Sequence, residues 1–123
     1  MSQRQDAARA RALEIADRLD GLGVITVTRF FSGAGIAIDG VQFAFIIAGS
    51  LYFRTDDESR PDFVARGAAP LVYGGRTRQV KVSSYFEAPD EIVEDADELR
   101  RWAARSHRAA VAARTLKRRP RGT

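Results

Sequence analysis

A short glycine-rich segment is the first place where the sequence could support ligand chemistry. Gly33-Ala34-Gly35 carries glycines of the kind that let backbone N–H groups approach a phosphate. A dinucleotide-binding loop needs a helix directly after its glycines, but the residues up to Gly40 read as one arm of a hairpin. The pattern therefore predicts a structural turn or bulge here, with no cofactor-binding residues.

Adjacent carboxylates at Asp56-Asp57-Glu58 are the second such place, because hard cations prefer oxygen ligands. A calcium loop alternates its ligands over about twelve residues around a fixed glycine, and that spacing is absent. We interpret the cluster as a solvated helix entrance, where carboxylates favour the positive end of the helix dipole. A second acidic run has the same interpretation: Glu91, Glu94, Asp95, Asp97 and Glu98.

His107 is the only histidine, and it stands among arginines in a helical pattern. A triad or a metal site would have to recruit every companion from elsewhere in the fold, so we expect a surface or rim histidine. The serines lack the spacing of a nucleophile elbow and are read as turn or strand residues: Ser32, Ser83 and Ser84. The sequence predicts no catalytic residue, no metal ligand and no cofactor, and hence no enzyme.

Aromatic residues recur along the predicted strands and allow two interpretations. They could form a base-stacking platform, as in proteins that bind single-stranded nucleic acids. In a small two-layer domain, half of each strand must face the helices, so we favour core positions, with Trp102 anchoring the last helix. The strand aromatics are Phe30, Phe31, Phe43, Phe45, Tyr52, Phe53, Tyr85 and Phe86.

The C-terminal segment is the one part whose composition suggests a charged partner. The net charge is +4, and the five cations after residue 113 leave 4 − 5 = −1 on the rest of the chain. We expect residues 1–113 to form the domain and residues 114–123 a flexible basic tail, since Pro120 stops a helix and like charges repel. Such a tail could bind nucleic acid without sequence preference or merely aid solubility. The candidate nucleic-acid-binding residues are Arg114, Lys117, Arg118, Arg119 and Arg121.

Length and composition indicate one domain with one core. The 123 residues are 45% hydrophobic and 29% charged, which is an ordinary globular balance. The absence of cysteine excludes disulfides and thiolate chemistry. No stretch approaches the roughly 18 apolar residues that span a bilayer, and the N-terminus is charged. We expect a cytoplasmic protein with no membrane association.

The hydrophobic pattern predicts an N-terminal helix followed by three or four antiparallel strands. The helix, from about Gln5 to Asp20, places Ala8, Ala12, Ile15, Leu19 and Leu22 on one face. A strand is expected from Val24 to Phe31, and Asp39-Gly40 is suited to a two-residue hairpin in which both residues have positive φ. Nearly continuous apolar residues from Val41 to Ile47 indicate a central strand, and Leu51 to Arg54 forms the next.

The second half of the chain predicts a short helix, two strands and a long helix. Ser59 and Asp62 resemble a capping box, with Pro61 in the first turn. A hairpin follows around Gly74-Gly75, and Asp95, with Glu98 as its capping partner, begins a helix that reaches about Arg114. The apolar stripe of that helix consists of Leu99, Trp102, Ala103, Ser106, Ala110 and Ala113. The expected fold is α+β, with an antiparallel sheet and helices on one of its faces.

The order of these motifs resembles the N-terminal domain of the TfoX/Sxy family, which is associated with regulation of natural DNA uptake in bacteria. The resemblance covers roughly residues 10 to 112 and is carried by Arg29 to Ile36, Asp39-Gly40, Leu51 to Arg54, Arg60 to Phe63 and Ser83 to Phe86. It implies a secretion-chaperone-like fold and no catalytic residue. Longer members carry a second, C-terminal domain, and the chain resembles a single-domain member without it.

The resemblance implies a regulatory or adaptor domain that binds a protein partner of the transcription machinery. The alternative, from a different class, is a nucleic-acid-binding accessory protein that uses the basic tail. A sheet edge or an apolar helix face could also support a homodimer.

Overall fold

The computed structural model describes residues 3–74 and 77–118, which form a six-stranded antiparallel sheet and four helices. The helices are α1 (Gln3–Asp17), α2 (Arg60–Ala65), α3 (Asp90–Glu94) and α4 (Ala96–Arg118). The strands are β1 (Ile25–Phe30), β2 (Gly33–Ile38), β3 (Val41–Ile47), β4 (Ser50–Arg54), β5 (Pro70–Gly74) and β6 (Gln79–Glu87). The strand order across the sheet is β1-β2-β3-β4-β6-β5. The predicted α+β class and the predicted order of elements are confirmed.

Two-residue turns connect the first four strands, and each turn contains at least one residue with positive φ. Asp39 and Gly40 have φ of 51° and 80°, as the Asp-Gly signal predicts, and Ala48 and Gly49 repeat the geometry at 53° and 83°. Asp39 also accepts a hydrogen bond from the Val24 N–H at 2.9 Å, which joins the hairpin to the start of β1. Local sequence therefore fixes this meander.

The core lies between one face of the sheet and the helices. Helix α1 packs on β1, β2 and β3, while α4 packs on β3 and β4. The predicted stripe of α1 is buried at Ala8, Ala12, Ile15 and Leu19, although the helix ends at Asp17 and residues 18–20 form a turn. All four helices contribute to one hydrophobic cluster with the sheet, including Ile15, Phe63, Ile92 and Trp102.

Several further local predictions differ from the structure. The Gly33-Ala34-Gly35 segment is the first half of β2, paired in register with β1, and is neither a turn nor a bulge. The capping box joins different residues: the Ser59 N–H donates to Asp56 Oδ1 at 2.8 Å, and the Asp56 N–H donates to Ser59 Oγ at 3.1 Å. Helix α3 was not predicted, and α4 continues past Arg114 to Arg118.

Asp95 caps α4 as predicted, since its Oδ1 accepts the N–H groups of Asp97 and Glu98 at 3.0 and 3.1 Å. The Glu98 carboxylate instead accepts from Arg101 at 2.7 Å. The cap fixes the start of the 23-residue helix that carries Trp102 and Ser106 into the core.

Candidate functional site

A β-bulge in β3 decides which aromatic side chains face the helices. The register between β2 and β3 shifts at Ile36/Ala37, so that Phe43 is the extra residue on β3. Phe43 and Ala44 therefore both belong to the helix side, while Phe45 falls on the opposite face of the sheet. Without the bulge, strict alternation would put Phe43 and Phe45 on the same face.

The bulge is held by Ser106 of α4, which is only 2% exposed. Its hydroxyl oxygen lies 2.9 Å from both the Phe43 and the Arg54 carbonyl oxygens, and its single proton is shared between these two acceptors. The helical spacing put Ser106 in an apolar stripe and gave no sign of this contact, because the acceptors lie 63 and 52 residues away in the chain. A buried polar atom without such partners would be costly, so the contact fixes α4 on the sheet.

The sheet face opposite the helices carries four aromatic residues, which we call the aromatic band: Phe30, Phe45, Tyr52 and Tyr85. Phe45 is at its centre, with ring centroids 4.7 Å from Phe30, 5.5 Å from Tyr52 and 4.7 Å from Tyr85. Phe45 is 1% exposed, while the other three are half-buried. The predicted core role holds for Phe43, Phe53 and Phe86, whereas the band lies outside the core cluster.

Ring geometry in the band disfavours stacking of nucleic-acid bases. Phe30 and Tyr52 are stacked on Phe45 with interplanar angles of 28° and 26°. The faces of the Phe45 ring are therefore occupied by neighbouring rings, whereas a base-stacking platform must present ring faces to the ligand. The band offers an apolar surface with tyrosine hydroxyls, which is typical of protein interfaces.

Phe31 extends the band into the β1–β2 turn. Its φ of 52° is unusual for a bulky residue, and its side chain is 81% exposed. The ring contacts Phe30 edge-to-face with centroids 4.7 Å apart, and its carbonyl accepts a hydrogen bond from Gln5 Nε2 at 2.8 Å. A strained backbone that holds a phenyl group in solvent is a feature found at binding sites.

Polar residues border the band at β4 and β6. Ser50 Oγ donates to Glu87 Oε2 at 2.9 Å. Burial, together with the negative charge of Glu87, raises the pKa of Tyr52. On the other side, the Arg54 guanidinium lies 5.5 Å from the centre of the Tyr85 ring.

A shallow cleft of about 280 Å³ separates the C-terminal part of α4 from the β2–β3 turn. Its lining includes Gly40, Gln42, Arg54, Ala110 and Arg114. Of the five predicted nucleic-acid-binding residues, Arg114 is exposed and lies in this cleft, and Lys117 and Arg118 belong to α4. The other two, Arg119 and Arg121, lie outside the described residues.

The remaining candidates have structural surroundings. His107 is half-buried against Phe43, with ring centroids 6.1 Å apart, and its Nε2 has no hydrogen-bond partner among the described residues. Ser32 lies in a turn, and Ser83 and Ser84 lie in β6. Within residues 3–74 and 77–118, no three histidine or carboxylate side chains are grouped as a metal site.

The acidic cluster is a helix entrance, as predicted. Asp57 pairs with Arg60 at 2.8 Å, and Asp56 forms the reciprocal contact with Ser59 described above. The hydrogen bond from the Ser59 N–H lowers the pKa of Asp56 from its usual value of 3.8, more than partial burial raises it.

The lowered pKa of Asp56 predicts a pH-dependent contribution to stability. Because the folded pKa is below the unfolded one, the ionised carboxylate stabilises the fold above the unfolded value of 3.8, and this is lost as pH falls through the folded value. We expect Asp56→Asn to lower the free energy of unfolding by up to about 1 kcal/mol at neutral pH. Urea denaturation of both proteins between about pH 7 and about pH 2 should show this difference shrinking with acid. If the stability difference between the two proteins does not change with pH, the effect comes from hydrogen-bond geometry, and the contribution of the Asp56 charge is contradicted.

The fold is that of a small α+β domain whose sheet packs against the helices on one face and carries the half-buried aromatic band, with the exposed Phe31 beside it, on the other. The chain belongs to the TfoX N-terminal domain family, whose model matches residues 17–110 of the 123. The predicted family resemblance is thereby confirmed, and this family is not known as a family of enzymes. No curated protein matches the chain significantly. Among the described residues, no helix is long and apolar enough to cross a bilayer.

Proposed function

We propose that this TfoX N-terminal domain is a cytoplasmic, non-enzymatic regulatory or adaptor domain that binds a protein partner of the transcription machinery. Family membership supports the regulatory class. The observation that carries the binding role is the side chain of Phe31, which is 81% exposed beside the half-buried aromatic band.

Several features of the band favour a protein partner. Three of its four aromatic side chains are half-buried around the buried Phe45, and the Glu87 carboxylate accepts a hydrogen bond from Ser50 at the border of the band. Aromatic residues supply a large contact area at low entropy cost, and interface energy concentrates in a few such side chains. Phe31 is the natural anchor because it is the most exposed of the large hydrophobic residues described.

Replacing Phe31 by asparagine is expected to abolish most partner binding while leaving the fold intact. Asparagine tolerates positive φ, so the turn is kept while the ring is lost. Loss of a binding hot spot of about 2 kcal/mol corresponds to roughly 30-fold weaker affinity. The measurement is mass spectrometry of transcription proteins captured from native lysate by the immobilised chain, compared between wild type and Phe31→Asn.

The matched control is Val64→Asn, which changes a residue 59% exposed on α2, away from the band. It should leave capture unchanged. Equal loss in both variants, or no enrichment of any transcription protein by the wild type, would contradict the proposal. Light scattering of the isolated chain measures its oligomeric state. If the chain is a dimer and Phe31→Asn dissociates it, the partner that binds the aromatic band is a second copy of the chain.

A nucleic-acid accessory role is the second candidate, favoured by the position of Arg114 in a cleft beside Arg54. Fluorescence anisotropy of labelled duplex DNA should then show steeply salt-dependent binding by the full chain, with loss in a version ending at Ala113. The log-log slope should be at most about five for five phosphate contacts. If the full chain does not bind DNA at low salt, the protein-partner role remains as the one candidate function.

A further inference from the structure

We infer that strand β1 is a docking edge at which a second copy of this chain adds its own β1, so that two sheets join into one. β1 lies at one end of the strand order and pairs with β2 on one side, while no strand of the described residues lies on its other side. An edge strand presents a row of free N–H and C=O groups, to which another extended chain can bond.

Alternate residues of β1 direct their backbone groups away from the sheet. The Val24 carbonyl accepts a hydrogen bond from the Asp39 N–H at 2.9 Å, so the backbone of Val24 faces the β2 side. In an antiparallel ladder every second residue from Val24 onward then faces β2 as well. The residues between them are Ile25, Val27 and Arg29, and their N–H and C=O groups therefore point toward the open side of β1.

The two edges of the sheet differ in how they are protected against further strand pairing. β5, at the other edge, begins with Pro70 and has a register shift directly after it, and both features obstruct pairing. β1 contains no proline, and its six residues pair with β2 without a register shift. Exposed apolar side chains flank it at both ends, with Val24 68% and Phe31 81% exposed. β1 is therefore the edge suited to binding another strand.

The sequence of β1 complements itself about Val27. A two-fold axis between antiparallel strands requires one residue to face its own copy, and the free backbone groups of Val27 allow a hydrogen-bonded pair there. Ile25 then pairs with Arg29 of the second copy, and about six ladder hydrogen bonds form in all. In this register no like charges lie opposite each other, and the exposed Val24 lies opposite Phe30 of the second copy.

The charges of α1 match the same arrangement. The start of α1 lies beside the end of β1, because Gln5 Nε2 donates to the Phe31 carbonyl at 2.8 Å. Residues 4–11 contain three Arg and one Asp, which is a net 3 − 1 = +2, whereas residues 12–20 contain one Arg and three acids, which is 1 − 3 = −2. Antiparallel β1 strands bring the basic half of each α1 toward the acidic half of the other. This reciprocal match favours a second copy over an unrelated peptide.

The test places charges at Thr26 and Thr28, which are exposed and would lie opposite each other across the two-fold axis. Thr26→Lys with Thr28→Lys, and Thr26→Glu with Thr28→Glu, each put two pairs of like charges in contact. Each double variant should therefore self-associate about tenfold more weakly than the wild type. Mixing the two variants should restore dimers, since every positive charge then lies opposite a negative one. Light scattering measures the mass, which is 13.6 kDa for one copy.

The control adds two lysines far from β1. Gln79→Lys with Ser83→Lys changes exposed positions of β6, toward the other edge of the sheet, and should leave the mass unchanged. Amide hydrogen exchange supplies a second measurement. The outward N–H groups of β1 should exchange slowly in the concentrated wild type and quickly in the lysine variant at Thr26 and Thr28, because they are hydrogen-bonded only in the dimer.

A wild-type chain that stays monomeric up to millimolar concentration would overturn the inference. A dimer that the charge variants of β1 leave intact would do the same, and so would one that the β6 control dissociates equally, since net charge would then explain the loss. A dimer that Phe31→Asn dissociates while the β1 charge variants do not would place the second copy on the aromatic band. The inference does not rest on the partner proposed above, because a monomeric chain that captures transcription proteins would contradict the dimer alone.

Discussion

Replacing Phe63 by alanine is expected to lower the free energy of unfolding by about 4 kcal/mol. Phe63 is 2% exposed, and its ring contacts Phe53, Phe86 and Trp102, with centroid distances of 6.5, 5.8 and 4.7 Å. It is the one buried residue of the six-residue helix α2 and the one through which that helix joins the hydrophobic cluster. Since small domains are stable by only about 5–15 kcal/mol, this loss is a large share of the total.

Urea denaturation followed by tryptophan fluorescence measures the effect, because Trp102 is the only tryptophan and contacts Phe63. Val64→Ala, at the next position and 59% exposed, should change stability by less than about 0.5 kcal/mol. Phe63→Leu should lower the free energy of unfolding by about 1 kcal/mol, which is between the effects of Phe63→Ala and Val64→Ala, because leucine keeps most of the side-chain volume. Similar losses for Phe63→Ala and Val64→Ala would show that α2 does not dock through Phe63 in solution.

Gly33→Ala is the second substitution with a large expected effect, a loss of about 3 kcal/mol. A Cβ at this position would overlap the backbone carbonyl oxygen of Ile46 and lie 2.9 Å from its carbonyl carbon. Backbone in the centre of a sheet cannot move aside without disturbing its hydrogen bonds, so β2 and β3 would have to separate locally. The glycine therefore permits the close approach of two strands.

Gly35→Ala, two residues along the same strand, is the control. A Cβ there would lie 2.6 Å from Gln42 Oε1, at the far end of a flexible side chain that can rotate away. We expect Gly35→Ala to lower the free energy of unfolding by less than about 1 kcal/mol. The cost of moving Gln42 is partly offset because alanine loses less conformational entropy than glycine in a strand. Thermal or urea unfolding of Gly33→Ala and Gly35→Ala measures the stability that each variant loses relative to the wild type. Equal stability of the two would contradict the close approach at Gly33.

Local signals were sufficient for much of the fold. The 3.6-residue period identified the buried side of α1, Asp39-Gly40 identified its hairpin, and Asp95 identified the start of α4. Each of these depends on residues within a few positions of one another, where backbone preference and side-chain spacing decide the outcome. The capping box was misassigned because Ser59 can serve either as the first residue of such a pair or, as the structure has it, as the last.

The candidate site depended on contacts between residues distant in the sequence. The sequence contained the strand aromatics, but the bulge at Phe43 decided that Phe45 faces away from the helices while Phe43 does not. Arg114 was a candidate from charge alone, but nothing in the local sequence associates it with Arg54, sixty positions earlier.

By itself, the amino-acid sequence determined the family, the order of helices and strands, and the basic character of the C-terminal segment. These follow from periodicity, turn chemistry and composition, which are properties of neighbouring residues. Only the tertiary structure decided which aromatic residues lie outside the core cluster and which residues line the cleft beside α4. Those outcomes depend on strand register and on the docking of α4 through Ser106, which are fixed by packing across the whole domain.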